Sequence, residues 1–501
     1  MLYCTLYHGK RNLLVWDRVF YDISLSEVTL IRYLYVYEAA ANWQLTQRRV
    51  TALCRDGRIA GAVKQGKNWL IPSDAPVPLD ARTKAFARAE QPQPQQAAQH
   101  TPVGFTEAGA GQNAVRHFTR VYNKVPDYTA FTPYRICPIG AHSDHQLGKI
   151  TGFAIDKGIH IAYGPKMNGV VEIASLQFSK RAQWHVNSTP AQKQNDWADH
   201  LRGATIALNA RYPLRIGICA IIDGELPIGG LSSSAAVIIT FLSALSHLNR
   251  IVLSDRELIT ISKEAENAYV GVSCGKLDQS CEVYCRKDKL LYLDTRDDSY
   301  ELIPQSPAMK PYEIAIFFSG LERSLASSLF NMRVDECRSA AYCLLALAGL
   351  PYGKFEQTNL RDVPYEVYLQ YKDRLPRSFA LRAEHWYTEF MRVEAGVQAW
   401  RQGDIELFGQ LCFASGKSSI ENWQTGSPEL IKLYEIMTQT KGIYGGRFSG
   451  AGFKGCCMAL IDPAYEQEIL QQVEQQYLAA FPQLQGKYSA HICHTADGVL
   501  L

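Results

Sequence analysis

Residues 135–146 read RICPIGAHSDHQ and place Arg135, Cys137, His142, Asp144 and His145 within one short stretch. Three kinds of chemistry use such a set. A metal site would take His142, Asp144 and His145 as ligands. A sugar site would use the Asp144 carboxylate to accept hydroxyl protons, with His142 free to donate or accept. An ordinary core edge would pair these groups with their neighbours.

Three further stretches carry chemical signals. LPIGGLSSSAAVIITFLSALSHL, from Leu226, is a Gly-rich loop, three serines and then an apolar helix. Free N–H groups and the helix dipole make such a start an anion site. The hydroxyls of Ser232, Ser233 and Ser234 can meet a phosphate oxygen or Mg²⁺. No Gly-Lys-Ser/Thr is present, so this is not the Walker pattern. Alone, the stretch also reads as a Ser-rich helix cap. GGRFSGAGFKGCCMALID, from Gly445, sets Gly450, Gly452 and Gly455 before a buried strand. Those glycines permit tight turns and close ligand approach, yet such turns are common. EAENAYVGVSCGKLDQS, residues 264–280, contains Asp278 beside Gln279. Alone, that Asp is an ordinary cap or solvated residue.

These stretches need a large scaffold, and 501 residues supply one of two or three domains. The chain is 47% hydrophobic and 20% charged, as soluble globular proteins are. A formal charge of +3 favours neither nucleic acid nor membrane globally. No apolar run approaches the roughly 18–20 residues that span a bilayer. The N-terminus, broken by Lys10, Arg11, Asp17 and Arg18, does not read as a secretion signal. The thirteen cysteines form no C-x-x-C pair. Free thiols in a reducing cytoplasm are expected.

Residues 1–30 are left open as an extension of helix or strand. Residues 76–103, rich in Gln, Pro and Ala, read as a flexible linker. Between them, residues 31–75 read as helix, turn, helix and hairpin. YEAAANW is the first helix, Thr46 caps the second, and Gly66 turns the hairpin. Arg48, Arg49, Arg55, Arg58, Lys64 and Lys67 face one acid, Asp56, a local basic face of the kind that meets phosphates. The segment resembles MerR- and excisionase-type helix-turn-helix modules. That implies a small winged domain whose second helix enters the DNA major groove. An accessory docking or dimerising domain is the competing reading.

Taken together and in this order, the three later stretches resemble the GHMP small-molecule kinases. RICPIGAHSDHQ completes the set, because it resembles the galactokinase sugar motif. ERSLASSLFNMRVDEC, residues 322–337, resembles the segment leading into the second galactokinase lobe. The galacturonokinase branch is more similar still, with Ala at position 141 and segments like RAEHWYTE, SSIENW and RFSGAGFKGCC. The implied fold is α+β: a two-lobe kinase, residues 104–300 and 301–501, behind the winged module. The implied reaction is ATP-dependent phosphorylation of a galactose-type sugar at C1. Galacturonate is favoured. Galactose or another sugar is the alternative, and a sugar-sensing regulator with a kinase-like domain is the rival of another class. Asp278, Arg135 and the serine triplet argue for a live enzyme. The resemblance sets no oligomeric state.

The resemblance also implies roles. The metal reading of His142, Asp144 and His145 weakens, since similar metallo-hydrolases need a His at position 140, which is Gly. His142 and Asp144 hold sugar hydroxyls. Arg135 offsets charge between the anomeric oxygen and the γ-phosphoryl. Asp278 takes the C1 proton. Gly229, Gly230, Ser232 and Ser234 line the phosphates, and Gly450 and Gly452 close on them. Ser233 and Glu266 serve Mg²⁺. Galactokinases carry Glu where this chain has Ala141. A Glu there would repel a C6 carboxylate, and Ala removes that repulsion. Arg323, Lys276 and His145 are candidates to grip the carboxylate. Phe330 replaces a sugar-contacting Tyr, which removes one hydrogen bond.

Overall fold

The computed structural model describes residues 6–8, 11–16, 19–24, 27–36, 39–40, 43, 45–55, 59, 62–65, 68–72, 75, 110–321 and 327–499. Two compact units result, Met1–His100 and Thr101–Leu501. The expected linker over 76–103 lies outside the described residues, as does Arg323.

In the first unit, β1 (Leu6–His8), β2 (Arg11–Trp16), β3 (Val19–Ser24) and β4 (Glu27–Tyr35) precede helix α1 (Gln47–Arg55). The hairpin β5 (Val63–Gln65) and β6 (Asn68–Pro72) follows. Thr46 receives the Arg49 N–H at 3.3 Å, the capping contact its side chain suggests. Val50, Leu53 and Cys54 form the buried stripe of α1. The hairpin is not an isolated wing. β6 pairs with β4, in the register Leu34↔Ile71, within one six-stranded sheet ordered β1-β2-β3-β4-β6-β5. The described residues before 31, open in the sequence, thus supply strands. The first expected helix lies partly outside the described residues, so a two-helix motif is not displayed.

The second unit begins with α2 (Ala110–Tyr122), β7 (Tyr128–Ile136), β8 (Lys149–Lys166), β9 (Val170–Ser175) and β10 (Phe178–His185). Then come α3 (Asp199–Arg211), β11 (Gly217–Gly224), α4 (Ser233–Leu248), α5 (Asp255–Glu264) and α6 (Leu277–Tyr284). The strands β12 (Lys289–Asp294), β13 (Ser299–Pro304) and β14 (Glu313–Phe318) lead into α7 (Ser327–Leu347), α8 (Tyr365–Tyr371), α9 (Arg377–Gln402), α10 (Ile405–Glu421) and α11 (Pro428–Gln439). β15 (Ile443–Phe448), β16 (Cys456–Ile461), α12 (Glu466–Ala480), β17 (Ser489–Cys493) and β18 (Thr495–Ala496) close the chain.

The eighteen-residue β8 is the spine of the first sheet and pairs with β7, β11, β12 and β18. The second sheet is antiparallel, ordered β15-β16-β14-β17. The division expected at residue 300 is not a break in packing. β18 returns to β8 through Thr495↔Ile155, and one hydrophobic core runs from Tyr134 through Trp400 to Cys493. Helix α4 is apolar nearly all round because it is buried in that core. A Ser254–Glu257 capping box starts α5. The described cysteines, Cys54 to Cys493, are unbridged thiols. No described helix is long and apolar enough to cross a membrane.

Candidate active site

Strand β7 delivers Arg135 next to a register shift between Pro133 and Arg135. Such irregularities re-aim a side chain. Arg135 is buried, and its Nε and Nη2 both donate to Asp278 Oδ1, at 2.8 and 2.7 Å. Its Nη1 donates to the Gly230 carbonyl at 3.1 Å. One guanidinium therefore joins the strand, the Asp278 helix and the Gly-rich loop. Burial works against its charge, but the Asp278 carboxylate holds its pKa above the ordinary arginine value.

The Gly-rich loop turns through left-handed backbone at Gly230 (φ +88°) and Ser232 (φ +62°) before α4 starts at Ser233. The Ser232 hydroxyl is buried with no protein partner. Ser233 and Ser234 form the half-buried first turn. Opposite lies the loop between β15 and β16. A Cβ on Gly450 would meet Gly230 Cα at 2.9 Å, and one on Gly455 would meet the Gly229 carbonyl carbon at 2.7 Å. These glycines are required by backbone contact between the loops. Gly452 instead faces Thr425, whose Oγ1 donates to the Ala451 carbonyl at 2.9 Å.

After β7 the chain makes a compact loop with left-handed backbone at Gly140 (φ +105°) and His142 (φ +61°). Helix α9 grips this loop by its backbone. Glu389 Oε1 accepts the Gly140 N–H at 2.7 Å. His385 Nε2 lies 3.0 Å from the Ala141 carbonyl, and Trp386 Nε1 donates to the Ser143 carbonyl at 3.2 Å. A carbonyl only accepts, so Nε2 carries the His385 proton and Nδ1 accepts from Ser418 at 2.9 Å. Burial lowers the His385 pKa to about 4, against the pull of Glu389. Burial also opposes the Glu389 charge, yet Arg392, His385 and Arg447 bring its pKa to about 2.

Ala141 is buried at the centre of the loop. His142 stacks on Trp423 with centroids 4.9 Å apart, and its Nε2 has no protein partner. Burial, then Arg447, pushes its pKa well below the ordinary histidine value. His145 stands edge-on to Phe330 at 6.0 Å, with both ring nitrogens unpartnered. Burial and Arg338 lower its pKa to about 3. Asp144 Oδ2 accepts the Leu277 N–H at 3.0 Å, one residue before Asp278. Burial raises its pKa, and that N–H opposes the rise. A Cβ on Gly275 would come within 2.1 Å of the same oxygen.

Two expected residues sit differently. Lys276 is not a waiting cation: its Nζ pairs with Asp298 Oδ1 at 2.5 Å. Glu266, in a π-helical turn over Ala265–Val270, accepts from Gln279 Nε2 at 2.6 Å and so ties to the Asp278 helix. Among the described residues, no cluster of three His, Cys, Asp or Glu could hold a metal. His385, Trp386, Glu389, Arg447 and Trp423 were not assigned roles from sequence. All five lie in the segments RAEHWYTE, SSIENW and RFSGAGFKGCC, and His385 and Glu389 stand four apart on a helix, hence on one face.

Residues 199–286 match the model described as GHMP kinases N terminal domain, and residues 397–479 match GHMP kinases C terminal. The galacturonokinase of Arabidopsis thaliana is 37% identical over 389 residues, covering 73% of this chain and 91% of that protein. The chain belongs to the GHMP kinases. Within them it is a sugar kinase of the galactokinase and galacturonokinase type. The galactokinase of Roseiflexus sp. (strain RS-1) is 29% identical, covering 76% of this chain and 95% of that one. The crystal structure of Lactococcus lactis galactokinase with galactose superposes with a TM-score of 0.70 at 26% identity, covering 77% of this chain and 98% of that one. GHMP kinases use ATP as phosphate donor. Neither GHMP model reaches the N-terminal unit.

Proposed function

We propose that this GHMP kinase transfers the γ-phosphoryl of ATP to the anomeric hydroxyl of D-galacturonate, giving galacturonate 1-phosphate and ADP. The observation that carries the reading is the Arg135 guanidinium shared by Asp278 and Gly230. It puts a carboxylate base, a fixed cation and a phosphate loop around one point. Both Arg135 hydrogen bonds to Asp278 end on its Oδ1. Oδ2 is the oxygen left to accept the C1 proton as the hydroxyl oxygen bonds to phosphorus and the bond to ADP breaks. Arg135 offsets the charge that builds between the two, and positioning does most of the work. Asp144 and His142 hold ring hydroxyls. The buried, unpartnered Ser232 hydroxyl and the loop amides take phosphate oxygens.

Mg²⁺ suits the donors present. Ser233 offers a hydroxyl and Glu266 a carboxylate, hard oxygens of the kind this ion binds alongside substrate phosphates and water. It would neutralise phosphate charge there.

The galacturonate preference rests on Ala141 and on similarity to the Arabidopsis thaliana galacturonokinase. With Lys276 engaged by Asp298, the unpartnered nitrogens of His145 are the described candidates for the C6 carboxylate. A coupled ADP-release assay across galacturonate, galactose, glucuronate and arabinose tests the reading. Galacturonate should give the highest kcat/KM. A preference for galactose moves the protein to the galactokinase reading and keeps the chemistry. No turnover of any sugar favours a sensing role.

The N-terminal unit is proposed to bind DNA. Arg48, Arg49, Arg55 and Lys64 are all exposed on α1 and β5, which supports a phosphate-facing surface. Binding of the full chain to genomic fragments should weaken steeply with salt. No binding at low salt would favour the docking reading.

A further inference from the structure

The RAEHWYTE segment on α9 is wired to both proposed substrate loops. Toward the sugar, Glu389 accepts the Gly140 N–H and His385 holds the Ala141 carbonyl. Those contacts hold the two residues immediately before His142, which sits at φ +61° where most side chains resist. Toward the nucleotide, the same Glu389 oxygen accepts the Ser415 hydroxyl and lies 3.6 Å from Arg447 Nη1. Arg447 is fully buried on β15 and donates to Ser415, to Ser419 at 3.0 Å and to the Phe448 carbonyl at 3.0 Å. Two residues past Phe448 stands Gly450, pressed on Gly230. A buried carboxylate therefore sits where the sugar loop and the strand feeding the second glycine loop meet.

We infer that Glu389 is a positioning residue shared by both substrates, while His385 positions the sugar loop alone. The inference rests on the assignment of residues 140–144 to the sugar. A buried charge is costly unless its partners are complete. Here the partners are Arg392 on the same helix, whose Nε donates to Oε2 at 2.8 Å, the backbone of one substrate loop and, directly and through Ser415, the arginine that anchors the other, so one group bears on both geometries. Neutralising it loosens both loops.

The test is steady-state kinetics of the full chain with galacturonate and ATP, with galactose as a second acceptor, beside thermal melts. Glu389→Gln keeps an acceptor for Gly140 but removes the charge facing Arg447 and Arg392. It should raise the KM of sugar and of ATP, each by about tenfold, the scale of one charge-assisted hydrogen bond. His385→Phe should raise the sugar KM alone by about tenfold, and His385→Gln, which restores an N–H, should recover most of it. If Glu389→Gln does not fold, Ser415→Ala removes the hydroxyl between Glu389 and Arg447 and should raise both KM values in the same direction. Lower kcat with both KM values intact would mean a merely structural role and overturn the inference. A change in only one KM for the Glu389 or Ser415 variant overturns it too. Asp144→Asn separates the two readings. If it leaves the sugar KM unchanged, the sugar-loop assignment falls and this inference with it. If it raises the sugar KM while Glu389 variants move neither, only the inference falls.

Discussion

Gly450 and Gly230 touch backbone to backbone: a Cβ added at Gly450 would stand 2.9 Å from both the Cα and the carbonyl oxygen of Gly230. Gly450 also sits at φ +70°. Gly450→Ala must therefore push back the proposed phosphate loop and hold a disfavoured backbone at a cost of about 1–2 kcal/mol. The expected result is a fall in kcat/KM for ATP of about tenfold or more, with a smaller change for the sugar. Equal losses for both substrates would place the damage in the general fold.

Asp278→Asn preserves size and can still accept from Arg135. It should leave the melting temperature near wild type and nucleotide binding intact while turnover drops by about 10²-fold or more, the range of a lost general base. Near-normal kcat would remove Asp278 from the base role.

Ala141→Glu should turn the proposed uronate site toward a neutral hexose site. The new carboxylate would accept from a C6 hydroxyl and repel a C6 carboxylate. In this buried loop that difference amounts to roughly 2–4 kcal/mol of transition-state binding. The galactose-to-galacturonate ratio of kcat/KM should shift toward galactose by about 30-fold or more. An unchanged ratio would place C6 away from Ala141, and His145→Ala becomes the next variant to measure.

Acid should destabilise the fold through buried histidines. His145 and His385 have pKa values lowered to about 3 and about 4, against an ordinary 6.5. Between 6.5 and those values the unfolded chain binds protons that the native state refuses. Stability is then fully present above pH 6.5 and falls as pH drops toward 4. At pH 5 each histidine accounts for about 2 kcal/mol of lost stability. Melts at pH 7.5 and pH 5 should show a clear drop, and His385→Gln should flatten the slope. An unchanged slope in that variant would mean that His385 is not the buried neutral group.

The loops proposed to hold the substrates were legible because their signals are local. Glycine at positive φ, serine at a helix start and an apolar helix behind them are properties of adjacent residues. Gly229, Gly230 and Ser232–Ser234 could be read without a fold. The N-terminal unit was legible only in part: Thr46, α1 and the hairpin follow local rules, but the sheet built from β1 to β4 with β6 and β5 depends on strand pairing across the segment.

The tertiary structure alone decided how those local pieces meet. Arg135 and Asp278 are 143 positions apart, and no periodicity links them. Lys276 looked available until Asp298 was seen to neutralise it. Glycines that promised ligand approach proved to be needed first for each other, Gly450 against Gly230 and Gly455 against Gly229. His385 and Glu389 are polar residues in a helix whose sequence cannot say which backbone groups they satisfy. Burying a carboxylate demands partners, and for Glu389 they range from Arg392 three residues on to Gly140, 249 positions away, so only the folded molecule shows which loop each group holds.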